Sequence, residues 1–403
     1  MIRMLELLGH PEQSMALIHV AGTNGKGSVC AFAERALREN GYKTGLFTSP
    51  YLRKYQERIR INGIEVDDAL FVREGEKLYK VWMTLNDEGV FPTAFELGAA
   101  LAFLCFEASG VQIAVIEVGI GGRLDPTNVI APICCAIASI AFDHEHILGH
   151  SIGEIAREKA GIIKENTPIA LSKQSDEAYQ VISKIAKDRH AELLYTKDLP
   201  LTSLSRDAHG ARFDTEIEGF GAMHIEIALP GAHQVKNALL ALSALSLAQK
   251  QGIALDADKV CAGLRAARWA GRLDWATGNL LLDGAHNAEG ASALADYVQA
   301  YLGGRRIVLL TAMMREKHPD ECAKIFGRFA NHVVTTQVNW PRALPADELC
   351  ALYQNIGIPA IAEPDVAKAY AAARRLAGKD AVLIVCGSLY LVGDIYNFNS
   401  QSK

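Results

Sequence analysis

The sequence predicts an α/β protein with two domains, each built on a largely parallel sheet with flanking helices. Short runs of apolar, β-branched residues alternate along the chain with segments whose apolar residues recur at helical spacing. The alternation restarts near residue 279, which indicates a second, smaller domain. The chain has 403 residues, of which 50% are hydrophobic and 22% charged. That composition supports packed cores and excludes a disordered chain.

The first domain is predicted over residues 1–272. Its strands are expected at 15–22, 44–48, 112–119, 132–140 and 167–172, and its helices at 28–40, 67–85, 95–109, 233–251 and 256–267. Residues 200–229 include a stretch that alternates polar and apolar side chains. This period of two predicts a hairpin, which we expect at one edge of the sheet.

The second domain is predicted over residues 273–403. Its strands are expected in NLLLDGA, RRIVLLTAM, HVVTTQ and AVLIVCG, and helical patterns separate them. A short polar turn between Gly271 and Gly278 precedes the first of these strands. This turn is where we expect the two domains to join.

Charge and cysteine content restrict the classes of partner. Lys and Arg total 41 against 46 Asp and Glu, a formal net charge of −5, which argues against nucleic acid as a partner. The eight cysteines include no CxxC pair, and most lie in apolar runs, as expected for buried free thiols in a reducing compartment. No signal peptide and no apolar run of about 18 residues is evident. We therefore expect a cytoplasmic protein with no membrane partner.

A glycine-rich loop follows the first predicted strand and opens the first predicted helix. It reads Gly22, Thr23, Asn24, Gly25, Lys26, Gly27, Ser28. Backbone amides of such a loop, together with the helix N-terminus, bind phosphate oxygens. Lys26 is expected to reach the β- and γ-phosphates, and Ser28 to offer its hydroxyl to Mg²⁺. The loop predicts a P-loop-type sheet that binds a nucleoside triphosphate.

The loop departs from the usual GxxxxGK[ST] pattern at two positions. Val20 replaces the first glycine, and Gly27 stands between the lysine and the hydroxyl residue. A glycine-rich turn without a ligand is the alternative. The strand, glycines, lysine and hydroxyl residue together favour the phosphate site. A dinucleotide site is disfavoured because no GxGxxG follows a strand.

Ten motifs in order give the chain a family resemblance. They are HVAGTNGKGS (19–28), FTSPYL (47–52), ERIRING (57–63), TAFELGAALAF (93–103), EVGIGGRLDPTN (117–128), DHEHILG (143–149), IAREKAGIIK (155–164), GAHQVKNALLALSAL (231–245), AGRLDW (270–275) and LDGAHNAEG (282–290). The chain resembles the folylpolyglutamate synthase/dihydrofolate synthase family of the Mur ligase superfamily. The resemblance implies a Mur ligase-like fold. It also implies an ATP-dependent ligase that joins L-glutamate to a carboxylate of dihydropteroate or a folate through an acyl phosphate.

Bringing a carboxylate to the γ-phosphate joins two anions, so metal ions and fixed cations are required. Ser49 and Glu117 each follow or end a predicted strand. By resemblance they hold one Mg²⁺, with Ser28 close to it. The resemblance also places a second metal at His144 and implies that Lys159 is carbamylated into a metal ligand. Zinc at HEHILGH is disfavoured, because HExxH would need histidine at position 148, which is Leu148.

The resemblance assigns further residues to the three substrates. For ATP the matching residues are Asn237, Arg272 and Asp283, and for glutamate His286 and Ser388. For the pteridine they are Thr93, Ala94, Phe95, Glu96, Leu124 and Asp125. Lys26, His144, Lys159 and Arg272 are the expected catalytic residues. Arg123 is expected either to meet a substrate carboxylate or to pair with Asp125.

Three alternatives remain open from the sequence. The first is a monofunctional folylpolyglutamate synthase. The second is a cell-wall Mur ligase, although such relatives have a hydroxyl residue directly after the P-loop lysine and a dedicated N-terminal domain. The third is a P-loop ATPase that forms no covalent product, which has no use for the DGAHN motif or for Lys159. For the folate ligase, the expected partners are small molecules (dihydropteroate or a folate, L-glutamate and ATP), and the expected state is a monomer.

Overall fold

The computed structural model describes residues 1–400. They form two compact units. The first unit contains Met1–Ser205, Ala211–Ala228 and Gln234–Arg268. The second contains Arg206–Gly210, Leu229–His233 and the chain from Trp269 onward.

The first unit contains eleven strands and nine helices. The strands are β1 (Ala16–Ala21), β2 (Thr44–Phe47), β3 (Ile59–Ile61), β4 (Ile64–Glu65), β5 (Ile113–Glu117), β6 (Cys134–Ile137), β7 (Ile169–Leu171), β8 (Leu193–Tyr195), β9 (Thr202–Arg206), β10 (Ala211–Ile217) and β11 (Gly221–Ile227). The helices are α1 (Ile2–Leu8), α2 (Lys26–Glu39), α3 (Asp68–Asp87), α4 (Ala94–Ala108), α5 (Glu145–Leu148), α6 (Ile152–Ala160), α7 (Asp176–Asp188), α8 (Ala232–Lys250) and α9 (Ala257–Ala266).

The main sheet has eight strands in the order β4-β3-β2-β5-β1-β6-β7-β8. All neighbouring pairs are parallel except β2–β3 and β3–β4. Apart from His19, the central strand β1 is apolar, and it is almost wholly buried, as expected where helices cover both faces of a parallel sheet. The predicted α/β class with a mostly parallel sheet is confirmed.

Two helices of this unit are apolar on nearly all sides. Residues 98–106 of α4 and most of α8 are buried. Such helices belong to the interior of a large α/β domain rather than to its surface. Their N-terminal ends carry Thr93–Glu96 and Gln234–Asn237.

The hairpin predicted at the edge of the main sheet was wrongly placed. Strands β10 and β11 do pair, in register from Ala211 opposite Ile227 to Ile217 opposite Gly221. With β9 they form a separate three-stranded sheet, and β11 packs against α9. The side chains of β10 alternate between buried and exposed. One face of the hairpin is therefore buried, and α9 packs against it here.

The second unit contains a six-stranded sheet in the order β12-β13-β17-β14-β15-β16. Its strands are β12 (Asp274–Thr277), β13 (Leu280–Leu282), β14 (Ile307–Thr311), β15 (His332–Thr335), β16 (Ala360–Ala362) and β17 (Val382–Cys386). Its helices are α10 (Ala288–Tyr301), α11 (Pro319–Phe326), α12 (Ala346–Asn355), α13 (Val366–Ala377) and α14 (Leu389–Ser400). Only β12 runs antiparallel to its neighbour. The sequence did not predict the two edge strands, β12 and β16.

Two expectations about side chains and helices can be compared with the structure. All eight cysteines are free, and all but Cys261 are buried, which confirms the prediction of buried free thiols for the other seven. Across residues 1–400, every helix is too short or too polar to cross a lipid bilayer.

Candidate active site

The glycine-rich loop connects the end of β1 to the first turn of α2. Gly25 precedes the helix with φ 91°, and Gly22 has φ 146°. A Cβ on Gly22 would lie 2.7 Å from the Cβ of Ala138, and one on Gly25 would collide with the amide of Asn237. Both positions therefore require glycine, for the backbone conformation and for the close approach of neighbouring chain.

The segment after β6 fixes this loop. The amide of Thr23 donates to the carbonyl of Ser139 at 2.7 Å. The Thr23 hydroxyl donates to the carbonyl of Ala141 and accepts from its amide, both at 3.1 Å. The Ser139 hydroxyl donates to the carbonyl of Asn24 at 3.3 Å. The loop is thus held in one conformation by backbone and side-chain bonds, a prerequisite for a preorganised anion site.

Two lysines meet at one carbonyl of the loop. The Lys26 Nζ donates to the carbonyls of Gly22 and Thr23, both at 3.1 Å. The Lys159 Nζ, on α6, donates to the same Gly22 carbonyl at 2.8 Å, and Lys159 is only 3% exposed. The structure therefore brings together two cations that are 133 positions apart in sequence (159 − 26). An anion at this loop would be favoured, because two like charges beside one neutral oxygen repel each other.

A buried amide joins Ser28 to Asn237. Gln234 is fully buried on the first turn of α8, and its Nε2 donates to the Ser28 hydroxyl at 3.2 Å. Its Oε1 accepts from the Asn237 Nδ2 at 3.0 Å. Asn237 also lies against Gly25. Asn237 was expected at this site, but Gln234 was missed. The sequence could have indicated Gln234, because it lies three positions before Asn237 and therefore on the same face of the helix.

Ser49 and Glu117 lie together at the carboxyl ends of neighbouring strands. The Ser49 amide donates to Glu117 Oε2 at 2.9 Å, and Glu117 is 4% exposed. Strand β5, which ends at Glu117, pairs with both β2 and β1. Hydroxyl and carboxylate oxygens are the donors that Mg²⁺ prefers. The donor chemistry of this pair therefore fits the expected metal.

His144 begins α5 in a left-handed conformation, with φ 51°. Its Nε2 lies 3.8 Å from an oxygen of Asp143. The segment carrying it starts three residues after Ala141, which is bonded to Thr23. Within residues 1–400, no three His, Cys, Asp or Glu side chains converge as a metal site. The two expected metal sites are not clusters of this kind, because their expected ligands include serine hydroxyls and a carbamylated lysine.

The residues expected to contact the pteridine lie at the start of α4 and in the loop after β5. Thr93 and Glu96 form a capping box, with the Thr93 amide donating to Glu96 Oε2 at 2.8 Å and the Glu96 amide donating to the Thr93 hydroxyl at 3.2 Å. Glu96 Oε1 also accepts from the Met1 amino group at 3.0 Å. Ala94 is exposed beside them. The side chains of Thr93 and Glu96 therefore already form hydrogen bonds that stabilise the N-terminus of α4.

Phe95 is half-buried and faces the loop after β5. Its ring lies 5.8 Å from the ring of Phe47, and a Cβ on Gly119 would lie 2.5 Å from Phe95 Cζ. In the same loop Leu124 is 76% exposed.

Asp125 organises that loop from inside. Its Oδ2 accepts from the Ile120 amide at 2.9 Å, and its Oδ1 accepts from the Thr127 amide at 3.0 Å and from the Thr127 hydroxyl at 2.5 Å. Burial raises the pKa of Asp125, and these hydrogen bonds oppose the rise. Asp125 therefore has a structural role whether or not it also contacts a substrate.

Arg123 does not pair with Asp125, contrary to one of the two expectations. Its guanidinium lies 2.9 Å from Glu158 on α6, and its amide donates to the carbonyl of Glu158 at 2.7 Å. The carboxylate of Asp125 is already surrounded by donors of its own loop. Arg123 instead links the loop to the helix that carries Lys159.

The same loop is anchored to β1 by His19. His19 is fully buried, and its Nε2 lies 2.8 Å from the Thr127 hydroxyl. That hydroxyl gives its proton to Asp125, so the His19 Nε2 is the donor in this hydrogen bond. Desolvation lowers the pKa of His19 to about 3, with a further contribution from the positive charge of Lys164.

We expect this histidine to make the protein sensitive to acid. An unfolded histidine titrates near pH 6.5 and the buried one at about 3, so the unfolded chain binds the extra proton first. The free energy of unfolding should therefore fall as pH decreases from 6.5 towards 3, by about 1.4 kcal/mol per pH unit from this residue. Urea unfolding at several pH values should show a shallower slope for His19→Gln, whose amide can still donate to Thr127. Identical slopes would contradict this account.

In the second unit, Arg272 and Asp283 lie together. The Asp283 oxygens accept from the Leu273 and Ala285 amides, both at 2.8 Å. A Cβ on Gly284 would collide with the Arg272 guanidinium, so that side chain lies against the backbone that follows Asp283. Burial raises the pKa of Asp283, and the charge of Arg272 opposes the rise.

His286 and Ser388 follow the carboxyl ends of two neighbouring strands, β13 and β17. The His286 Nδ1 lies 2.8 Å from the carbonyl of Gly284 and donates to it. The Gly387 amide donates to the carbonyl of Ala285 at 2.7 Å. The Ser388 hydroxyl is buried and has no hydrogen-bond partner within residues 1–400. A buried hydroxyl of this kind is suited to a polar ligand.

Comparison with known proteins shows the family of the chain. Two family models match the chain, the Mur ligase middle domain over residues 20–245 and the Mur ligase glutamate ligase domain over residues 271–389. The dihydrofolate synthase/folylpolyglutamate synthase of Bacillus subtilis (strain 168) is 35% identical over 403 residues, covering 98% of this chain and 93% of that protein. The chain belongs to the dihydrofolate synthase/folylpolyglutamate synthase family of Mur ligases.

This Mur ligase also resembles solved structures along nearly its whole length. Mycobacterium tuberculosis folylpolyglutamate synthase, solved with ADP and AMPPCP, superposes with a TM-score of 0.92 at 29% identity, covering 98% of this chain and 94% of that one. E. coli FolC in complex with DHPP and ADP superposes with a TM-score of 0.88 at 25% identity, covering 99% of this chain and 92% of that one. The expected family and the Mur ligase-like fold are confirmed.

Proposed function

We propose that this chain is an ATP- and Mg²⁺-dependent ligase that adds L-glutamate to dihydropteroate, to a folate, or to both. The observation that carries the proposal is the hydrogen-bonded glycine-rich loop on which the Lys26 ammonium is held. It is an electropositive, preorganised site of the kind that phosphoryl transfer needs. Relatives that match nearly the whole chain are named dihydrofolate synthase/folylpolyglutamate synthase and folylpolyglutamate synthase, which supports the choice of substrates.

The reaction has two steps, and each makes a different demand on the chain. In the first, a carboxylate oxygen of the substrate attacks the γ-phosphorus of ATP, and ADP leaves. In the second, the amino group of glutamate attacks the acyl carbon, loses a proton, and expels phosphate. The first step joins two anions, so Lys26 would lower its barrier by offsetting charge on the phosphates. The amides of residues 22–28 would orient the triphosphate.

Ser49 and Glu117, with Ser28 nearby, would hold a Mg²⁺ ion. Their oxygens fit this metal, and the Ser49–Glu117 hydrogen bond holds two of the donors together. When bound, the ion supplies positive charge that stabilises the phosphates.

Lys159 would act as a carbamate that, with His144, holds a second Mg²⁺. A lysine carbamate forms when the neutral amine adds CO₂ and loses a proton, which turns a cation into an anion. Two features support this. Lys159 is buried, and its Nζ shares the Gly22 carbonyl with Lys26. Carbamylation would replace the repulsion between two cations by an attraction.

The two halves of the chain would have different tasks. We assign ATP and the pteridine to residues 1–272 and glutamate to residues 273–403. Thr93, Ala94, Phe95, Glu96, Leu124 and Asp125 would form the pteridine site. Arg272 and, from the second half, Asp283 would also contact ATP, and His286 and Ser388 would contact glutamate. We expect the chain to act as a cytoplasmic monomer, with small molecules rather than nucleic acid or membranes as partners.

A matrix assay tests the proposal. The purified protein is given ATP, Mg²⁺ and labelled glutamate, with dihydropteroate in one arm and tetrahydrofolate in the other. We expect label in an amide product together with one ADP per glutamate added. Turnover in one arm only would identify a monofunctional enzyme. ATP hydrolysis indifferent to glutamate and to both pteridines would contradict the proposal and favour an ATPase.

Gln234→Leu should raise the KM for ATP by roughly 10-fold, because both Ser28 and Asn237 lose a buried hydrogen-bond partner. Steady-state kinetics at saturating glutamate measure this. Ser246→Ala is the matched control, since its hydroxyl lies on the same helix and donates to the carbonyl of Glu218. The control should lose stability at most. Equal KM values for ATP in the two variants would contradict the role given to Gln234.

A further inference from the structure

Three aromatic rings surround the guanidinium of Arg58. Its Cζ lies 5.3 Å from the ring centroid of Tyr51, 5.3 Å from that of Tyr55 and 5.9 Å from that of Phe95. These are cation–π distances. We call this group of four side chains the Arg58 cage. None of the roles proposed above uses Arg58, Tyr51 or Tyr55.

No acidic side chain neutralises this cation within the described part of the chain. No carboxylate between residues 1 and 400 lies within ion-pair distance of Arg58, and its buried Nε meets no hydrogen-bond acceptor there. By contrast, Arg53 on the same loop lies near the carboxylates of both Glu57 and Glu65. A partly buried guanidinium without an anion is unusual, because its N–H donors lose hydrogen bonds to water on burial and gain no acceptor in the protein.

The loop that carries Arg58 is built to hold it in place. The buried Glu57 carboxylate accepts from the amides of Leu52 at 2.9 Å, Arg53 at 3.0 Å and Lys54 at 3.3 Å, which curls residues 52–57 around it. The amide of Thr48 then donates to the carbonyl of Arg58 at 3.0 Å. This last bond ties Arg58 to the end of β2, next to Ser49.

The cage also adjoins the expected pteridine site. A Cβ on Gly98 of α4 would collide with the Tyr55 hydroxyl, so Tyr55 lies directly against that helix. Phe95 belongs to the cage and also packs on Gly119, in the loop that carries Leu124. Arg58 therefore lies between the end of β2 and residues assigned to the pteridine.

We propose that Arg58 binds a carboxylate of the pteridine substrate, with the rings of its cage packing beside the aromatic part of that substrate. The inference rests on the proposed function, whose substrates join an aromatic ring system to a carboxylate. A guanidinium offers two parallel N–H donors to a carboxylate, and flanking rings fix its plane. Two carboxylates have this chemistry: the one that reacts, present in dihydropteroate and folates, and the non-reacting one, present only in folates.

The test compares Arg58→Gln and Arg58→Lys with the wild type. Titration calorimetry measures the Kd for dihydropteroate and for tetrahydrofolate, which requires no turnover, and steady-state assays measure KM for both and for ATP. We expect Arg58→Gln to weaken pteridine binding about 10–100-fold while KM for ATP stays unchanged. Arg58→Lys should lose less, since it keeps the charge but not the planar pair of donors. Arg212→Gln is the control, since Arg212 is an exposed arginine of β10 that pairs with Glu226, and it should leave every Kd unchanged.

The two arms separate the sources of the carboxylate. Loss of affinity for both pteridines assigns Arg58 to the reacting group, and loss for tetrahydrofolate alone assigns it to the non-reacting one. Unchanged Kd values for both pteridines in Arg58→Gln and Arg58→Lys would overturn the inference. A wild-type protein that binds pteridines but never forms an amide would instead contradict the proposed function. In that case the Kd values of the Arg58 variants would still test the inference about Arg58.

Discussion

Lys26→Ala should reduce glutamate-dependent ADP formation by at least on the order of 10²–10³-fold. The Lys26 Nζ is held on the Gly22 and Thr23 carbonyls, at the point where the phosphates are expected to lie. Removing it takes away a fixed charge that acts on the phosphoryl group during transfer. A coupled ADP assay at saturating substrates measures the loss, and thermal unfolding should show a folded protein with little change in Tm.

The matched control for this variant is Lys80→Ala, since Lys80 is an exposed lysine of α3. It should retain wild-type turnover. Near-normal activity of Lys26→Ala in the same assay would show that the glycine-rich loop does not hold the reacting phosphates.

Lys159→Ala should reduce glutamate-dependent ADP formation by a comparable factor. Unlike Lys26→Ala, it should regain part of its activity when small carboxylic acids are added. If Lys159 acts as a carbamate, the variant lacks one carboxylate-like ligand, and formate or acetate should restore part of the activity. The alanine leaves space for a small acid, because the lysine side chain it replaces is buried beside Gly22. Turnover measured against acid concentration should rise and saturate.

Lys26→Ala is the control for the rescue, because it lacks a cation that no carboxylic acid replaces. Rescue of Lys159→Ala alone supports the carbamate, and equal rescue of both variants would contradict it. ¹³C NMR of the wild-type protein in labelled bicarbonate gives an independent readout, a carbamate signal that is lost in Lys159→Ala.

Much of the fold could be predicted from periodicity alone. Strands such as β1 and β5 are mostly apolar runs between helical patterns, and that alternation leaves few arrangements other than a parallel sheet. The position of β10 and β11 could not be predicted in the same way. A period of two shows that one face is buried, but not whether a sheet edge or a helix such as α9 buries it. The edge strand β16 was missed because it has only three residues and two of them are exposed.

The candidate site could be predicted wherever its residues end neighbouring parallel strands. Ser49 and Glu117 are of this kind, because the carboxyl ends of adjacent strands meet at one edge of the sheet. The partner of Arg123 could not be found from sequence, since Glu158 is 35 residues away on a helix whose rotation about its axis depends on packing. Gln234 was hidden for a related reason. Its importance arises from the contact with Ser28, 206 residues earlier in the chain.

A crystal structure with a non-hydrolysable ATP analogue and Mg²⁺ is the most direct test of the central claim, that this chain activates an acid with phosphate from a triphosphate held by residues 22–28. We expect the triphosphate on the backbone amides of that loop, with the Lys26 Nζ turned from the Gly22 carbonyl towards the β- and γ-phosphates. A well-ordered triphosphate bound elsewhere, with Lys26 still on the Gly22 carbonyl, would contradict the account.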